Sequence, residues 1–129
     1  MRRYAYYDRR RFQRLRVNLS VFYKVESPEY VRSLTQDMEI EATTLDISKG
    51  GMSFLTKYAI PAWSMLSIKV YLFKTDNEGI VSFSDPVEIS AEVRSSISVA
   101  DGEYRLGVCF KDIAIKDRAG ISDFIASSL

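Results

Sequence analysis

The chain has no histidine and a single cysteine, Cys109, among its 129 residues. Without an imidazole, catalysis of the Ser-His-Asp or Cys-His kind is excluded, and so is a zinc site built from His and Cys. One cysteine excludes an internal disulfide. Proline is scarce, at three residues, and no apolar run approaches the ~20 residues that cross a bilayer. The opening MRRYAYYDRRRF lacks the continuous apolar block of a secretory signal. GxGxxG, Walker and HExxH patterns are missing, and the carboxylates are scattered. These absences lead to the expectation of a cytoplasmic protein, complete as it stands and without membrane insertion. It is expected not to be an enzyme and to hold neither a metal nor a cofactor.

What is present is unevenly placed. The net charge is +1, yet residues 1–16 hold seven arginines against one aspartate, a local charge of +6, which leaves −5 on residues 17–129. The stretch Arg9–Val17, RRRFQRLRV, has five arginines and no lysine. A basic arm ahead of a mildly acidic body implies an anionic partner for the arm. A segment of like charges also repels itself, so 1–16 reads as a flexible arm and 17–129 as the folded domain.

From Val17 the pattern is that of strands. Val17, Leu19, Val21, Tyr23 and Val25 alternate with polar residues. A second strand runs over about 38–47, and its phase slips near Leu45, which fits a bulge. Residues 26–37 read as a loop with a short helical turn. A short strand carries Met52 and Phe54; a longer one carries Leu66, Ile68, Val70 and Leu72. Residues 74–86 form an excursion with a small hairpin. Val87, Ile89, Ala91 and Val93 mark the next strand, and Asp101-Gly102 marks a type I′ hairpin turn. Tyr104, Leu106, Val108 and Phe110 return. Over 114–127 the period changes to helical, with Ile115, Ala119, Ile121, Phe124 and Ile125 on a stripe and Gly120 weakening it. Strands with one apolar face each must close on something. The expected fold is all-β with a C-terminal helix, a six-stranded antiparallel β-barrel. Trp63 and the methionines Met38, Met52 and Met65 are read as core residues.

Arginine rather than lysine points to planar recognition. A guanidinium is a rigid fork that matches two acceptors in a plane, as on a phosphate or on the O6/N7 edge of guanine, and it stacks on a base. The second feature is DISKGG at 46–51, between two strands. Asp46 can accept from a guanine N1–H and N2–H₂, and Ser48 can serve a base or a phosphate. Gly50 and Gly51 allow positive φ and close approach of a ligand. By itself DISKGG also reads as an ordinary turn.

Together the two features resemble the PilZ domain, the bacterial receptor module for cyclic di-GMP. Arg10-Arg11-Phe12-Gln13-Arg14 supplies its RxxxR, and Asp46 to Gly51 supplies its [DN]xSxxG. EYRLGVCFKDI at 103–113 and the terminal helix also fit, so the resemblance runs from about residue 9 to 127. The resemblance implies a second-messenger receptor that changes shape on binding cyclic di-GMP and relays this to a downstream protein. Arg10 and Arg14 are the first candidates for phosphate and guanine contacts. Arg9 and Arg11 come second, and Asp46, Ser48, Gly50 and Gly51 line the barrel side. The segments at 26–37 and 74–86 are longer than in a minimal domain, and Arg94 stands where many members have an aromatic. Two other functions fit parts of the pattern. One is a protein-interaction module of the same fold without nucleotide binding. The other is a barrel that binds single-stranded nucleic acid, which the acidic body disfavours.

Overall fold

The structure, a computed structural model, describes residues 13–128. In chain order these form β1 (Leu15–Arg16), β2 (Ser20–Ser27), α1 (Glu29–Leu34), β3 (Ile40–Ile47), β4 (Gly51–Thr56), β5 (Met65–Val70), β6 (Phe73–Thr75), β7 (Val81–Phe83), β8 (Val87–Ala100), β9 (Glu103–Ile113) and α2 (Ile115–Ser128). The six longer strands run antiparallel in the order β3–β2–β5–β8–β9–β4, and β4 pairs back onto β3. That last pairing closes the sheet into a six-stranded barrel and removes its edges. β1 adds two residues to β3, and β6–β7 is a separate small hairpin.

Alternation builds the core. Val21, Tyr23 and Val25 of β2, Leu66, Ile68 and Val70 of β5, Ala91 and Val93 of β8 and Leu106 of β9 all point inward and are buried. Helix α2 adds Ile121, Phe124 and Ile125, and Phe124 meets Phe73 edge-on at 5.2 Å. The stripe expected on this helix is only partly used. Ile115 and Ala119 are exposed, because contact with the barrel begins one turn later. Val17 is half-buried, since β2 begins at Ser20. Met52 is buried as expected, but Met38 lies on the surface before β3. The β8–β9 turn has positive φ at Gly102 and not at Asp101, so it is not type I′.

Two irregularities matter for function. The register of β3 against β4 skips between Thr44 and Asp46, so Leu45 is the bulged residue, as the phase slip indicated. The register of β8 against β9 skips between Val93 and Ser95, which leaves Arg94 unpaired in the ladder. A bulge re-aims the side chains that follow it. Ala42 and Thr44 point inward, so strict alternation would also send Asp46 inward. The extra residue at Leu45 reverses the phase: Ile47 enters the core and Asp46 turns to the outer wall.

Candidate functional site

The end of the basic arm is stitched to the barrel by the backbone. The buried Thr44 Oγ1 accepts from Leu19 N at 2.8 Å and donates to Val17 O at 2.7 Å. Val17 N donates to Leu45 O, and Thr44 N donates to Leu19 O. Leu15 and Arg16 pair with Ile47 and Asp46. These bonds bring the segment alongside β3 and deliver Arg14 to the outward-facing Asp46.

Arg14 Nη1 donates to Asp46 Oδ1 at 2.6 Å, and Ser53 Oγ donates to Asp46 Oδ2 at 2.9 Å. The ion pair is partly solvated, with about a third of the Arg14 side chain exposed. Such a pair contributes roughly 0–1 kcal/mol to stability. Its consequence is orientation: both carboxylate oxygens are engaged and the guanidinium is held at one place. A carboxylate has about four lone-pair sites, so Asp46 keeps acceptor capacity for a ligand.

The turn after Asp46 is organised by Ser48. Its Oγ accepts from Gly50 N and Gly51 N, both at 3.2 Å, and Ser48 N donates to Gly51 O at 2.8 Å. Ser48 is buried, so its hydroxyl shapes the turn from within. Gly50 O accepts from Phe110 N, and Arg118 Nη1 of α2 donates to Lys49 O. Gly51 is not needed for positive φ. A Cβ there would run into the Val108 carbonyl of β9, so glycine is required because two backbones approach closely.

Above this turn lies a cavity of about 360 Å³. Arg14, Asp46 and Ser48 line one side, with Arg94 and Arg105 among the other lining residues. The outer face of β4, β9 and β8 also contributes small residues to its lining: Gly51, Ser53, Gly107, Cys109 and Ser95. Three arginines and several small residues in one lining suit an anionic ligand with planar parts. Among the described residues no group of His, Cys, Asp or Glu is arranged to hold a metal ion.

The model of the PilZ domain matches residues 8–127. The chain belongs to the PilZ domain family. No curated protein matches the sequence significantly. Among solved structures, the PilZ fold found here is similar to that of the Bacillus subtilis inhibitor of motility MotI/DgrA, with a TM-score of 0.68 and 18% identity over 93% of this chain and 50% of that one. The Escherichia coli YcgR PilZ domain with c-di-GMP matches at TM-score 0.57 and 18% identity, covering 92% of this chain and 90% of that chain. The K. pneumonia MrkH–c-di-GMP complex matches at 0.59 and 16%, covering 92% and 52%. This chain thus spans about half the length of MotI and MrkH.

The two PilZ motifs meet in one place, as far as they are described. Arg14, Asp46, Ser48, Gly50 and Gly51 all line the cavity. Arg9, Arg10 and Arg11 lie outside the described residues. Arg105, Gly107 and Ser53 also line the cavity and were not singled out from the sequence. The available signal was alternation: Arg105, Gly107 and Cys109 interleave with the buried Leu106, Val108 and Phe110, so all three share the outer face. Trp63 was expected in the core and is instead 66% exposed, because its backbone adopts φ 75° in the β4–β5 loop and turns the indole outward.

Proposed function

We propose that this PilZ protein binds cyclic di-GMP in the cavity between its RxxxR and DxSxxG segments and acts as a non-catalytic cytoplasmic receptor. The observation that carries this reading is the Arg14–Asp46 pair at 2.6 Å, which joins the two motifs in one pocket. The c-di-GMP complexes of the YcgR PilZ domain and of MrkH, on similar folds, support it.

Each residue then has a role. Arg14 offers its fork to a phosphate or a guanine edge, and Asp46 holds that fork while accepting from the guanine N–H groups. Ser48 keeps the turn in shape, and Gly50 and Gly51 let the ligand lie against the backbone. Arg9, Arg10 and Arg11 supply further guanidinium groups from the arm. The ligand cancels the charge of the arm, residues 1–16, and clamps the part of it ahead of Arg14 onto the barrel 17–129. That change of shape, passed to a protein target, is the output.

Calorimetry tests this with cyclic di-GMP, GTP and linear pGpG on the wild type and on Arg14→Ala. The wild type is expected to bind the cyclic dinucleotide in preference to the other two. Loss of the Arg14 contact is expected to cost on the order of 1–3 kcal/mol, about 5–150-fold in affinity. Equal affinity for all three nucleotides, or no heat with any of them, rules the reading out.

A further inference from the structure

Trp63 breaks two rules at once. A large aromatic side chain normally buries most of its surface, and a bulky residue normally avoids positive φ. Trp63 is 66% exposed and sits at φ 75°. The loop holds it there firmly. Trp63 N donates to Val93 O at 2.7 Å, and Val93 N returns a bond to Ser64 O at 2.9 Å. The buried Ser64 closes the turn through Oγ to Pro61 O at 2.8 Å. A strained backbone that the surroundings over-determine, with an indole that fills no core, places the role of this residue in what its ring touches.

The ring touches Arg94. The guanidinium carbon lies 5.2 Å from the indole centroid, and Nε donates to Glu92 Oε1 at 2.9 Å. Arg94 is also the bulged residue of β8, and it lines the same cavity as Arg14 and Arg105. The guanidinium is thus fixed from two directions: Glu92 holds one edge and the indole holds one face. A planar cation has a second face. Arg94 shares the cavity lining with the small residues Gly51, Gly107 and Ser95, which leave room beside it.

The geometry points to Arg94 as a base-stacking residue of the cyclic di-GMP site, with Trp63 as the positioning residue that backs it. A guanine ring lies on the free face of the guanidinium, giving a layered stack of purine, guanidinium and indole. This inference rests on the cyclic di-GMP reading above but uses residues outside both motifs. It assigns the second planar group of the ligand, which Arg14 and Asp46 alone do not hold.

The chain has one tryptophan, so its fluorescence reports this position alone. Titration of the wild type with cyclic di-GMP is expected to change Trp63 emission with the midpoint that calorimetry gives. Arg94→Ala and Arg94→Lys are both expected to bind roughly 5- to 50-fold more weakly, because lysine restores the charge but not the plane. Trp63→Ala is expected to weaken binding several-fold, and Trp63→Phe to recover most of it. Thermal melts confirm that each variant is folded. Calorimetric binding without any change in Trp63 emission overturns the stack and leaves the receptor reading intact. So does an Arg94→Lys protein that binds like the wild type, since charge alone then suffices. A wild type that takes up no cyclic di-GMP removes the receptor reading, and the stack with it.

Discussion

Arg14 and Asp46 show how a weak contact can matter for binding. Their ion pair adds little to stability in its half-solvated setting. It does hold a guanidinium in one place, which on the proposed function reduces the ordering needed on binding. Gly51 is the opposite case, a residue that touches no ligand atom through a side chain yet belongs to the cavity lining. Gly51→Ala would drive a Cβ into the Val108 carbonyl, and neither backbone can yield without disturbing the β4–β9 ladder. Overpacking of this kind costs roughly 1–3 kcal/mol. For a domain of this size the melting temperature is expected to fall by roughly 3–15 °C. Gly107→Ala is the control, because its Cβ would meet the Ser95 Oγ at 2.6 Å, a side-chain end that can rotate away. A smaller loss there, measured in the same thermal melts, separates backbone collision from simple crowding. Equal losses mean that the close approach at Gly51 is not what fixes this glycine.

Strands explain most of what was legible in advance. Val21, Tyr23, Val25, Leu66, Ile68 and Val70 alternate so regularly that burial follows from period two alone. The bulge at Leu45 was legible for the same reason, as a break in that period. The bulge at Arg94 was not, since Ile97 and Val99 continue the odd-numbered apolar phase of Val87 to Val93 and so show no slip, although both are exposed. Arg105 and Gly107 reach the site only when β9 pairs with β4, a contact between segments about fifty residues apart. Trp63 escaped because its hydrophobicity says core while its backbone says otherwise. Within the barrel, Tyr23 of β2 bridges to a strand it does not pair with: its hydroxyl lies 2.6 Å from Thr56 Oγ1 of β4, and its ring packs 5.2 Å from Phe54. Burial pushes its pKa up from 10.0 to about 12, with the Thr56 bond pulling down and Tyr58 adding a smaller upward push. In that window the unfolded chain releases the proton while the folded chain retains it. The Tyr23 contribution is therefore complete below pH 10 and lost as pH rises through about 12. The loss is on the order of 3 kcal/mol when complete. Tyr23→Phe is expected to lower stability by about 1 kcal/mol at neutral pH, through the unpaired Thr56 hydroxyl. It should also remove this part of the alkaline slope. Urea unfolding of both proteins from pH 8 to 11.5 checks this, and parallel curves would contradict it.

Over the whole molecule the charge division sets the behaviour. The arm to Arg16 carries +6 and the rest −5, yet the three arginines on the cavity rim come from separate places: Arg14 from the arm, Arg94 from β8 and Arg105 from β9. The body therefore presents cations at this cavity although it is acidic as a whole. On the proposed clamp, the arginines ahead of Arg14 meet a rim of like sign until an anion lies between them. On that proposal a ligand with two phosphates reverses the balance locally, because its charge offsets that of the guanidinium groups on both sides. Backbone bonds already fix the chain from Leu15 onward to β3, so on this proposal the segment that closes lies ahead of Arg14. Amide exchange of residues 2–16 is expected to slow by tenfold or more, on the order of 1.4 kcal/mol of added protection, when cyclic di-GMP saturates the protein. The barrel strands should change far less. Raising the salt concentration should weaken binding and this protection together, since phosphate–guanidinium contacts are screened. Unchanged exchange across 2–16 at saturating ligand means that the arm does not close.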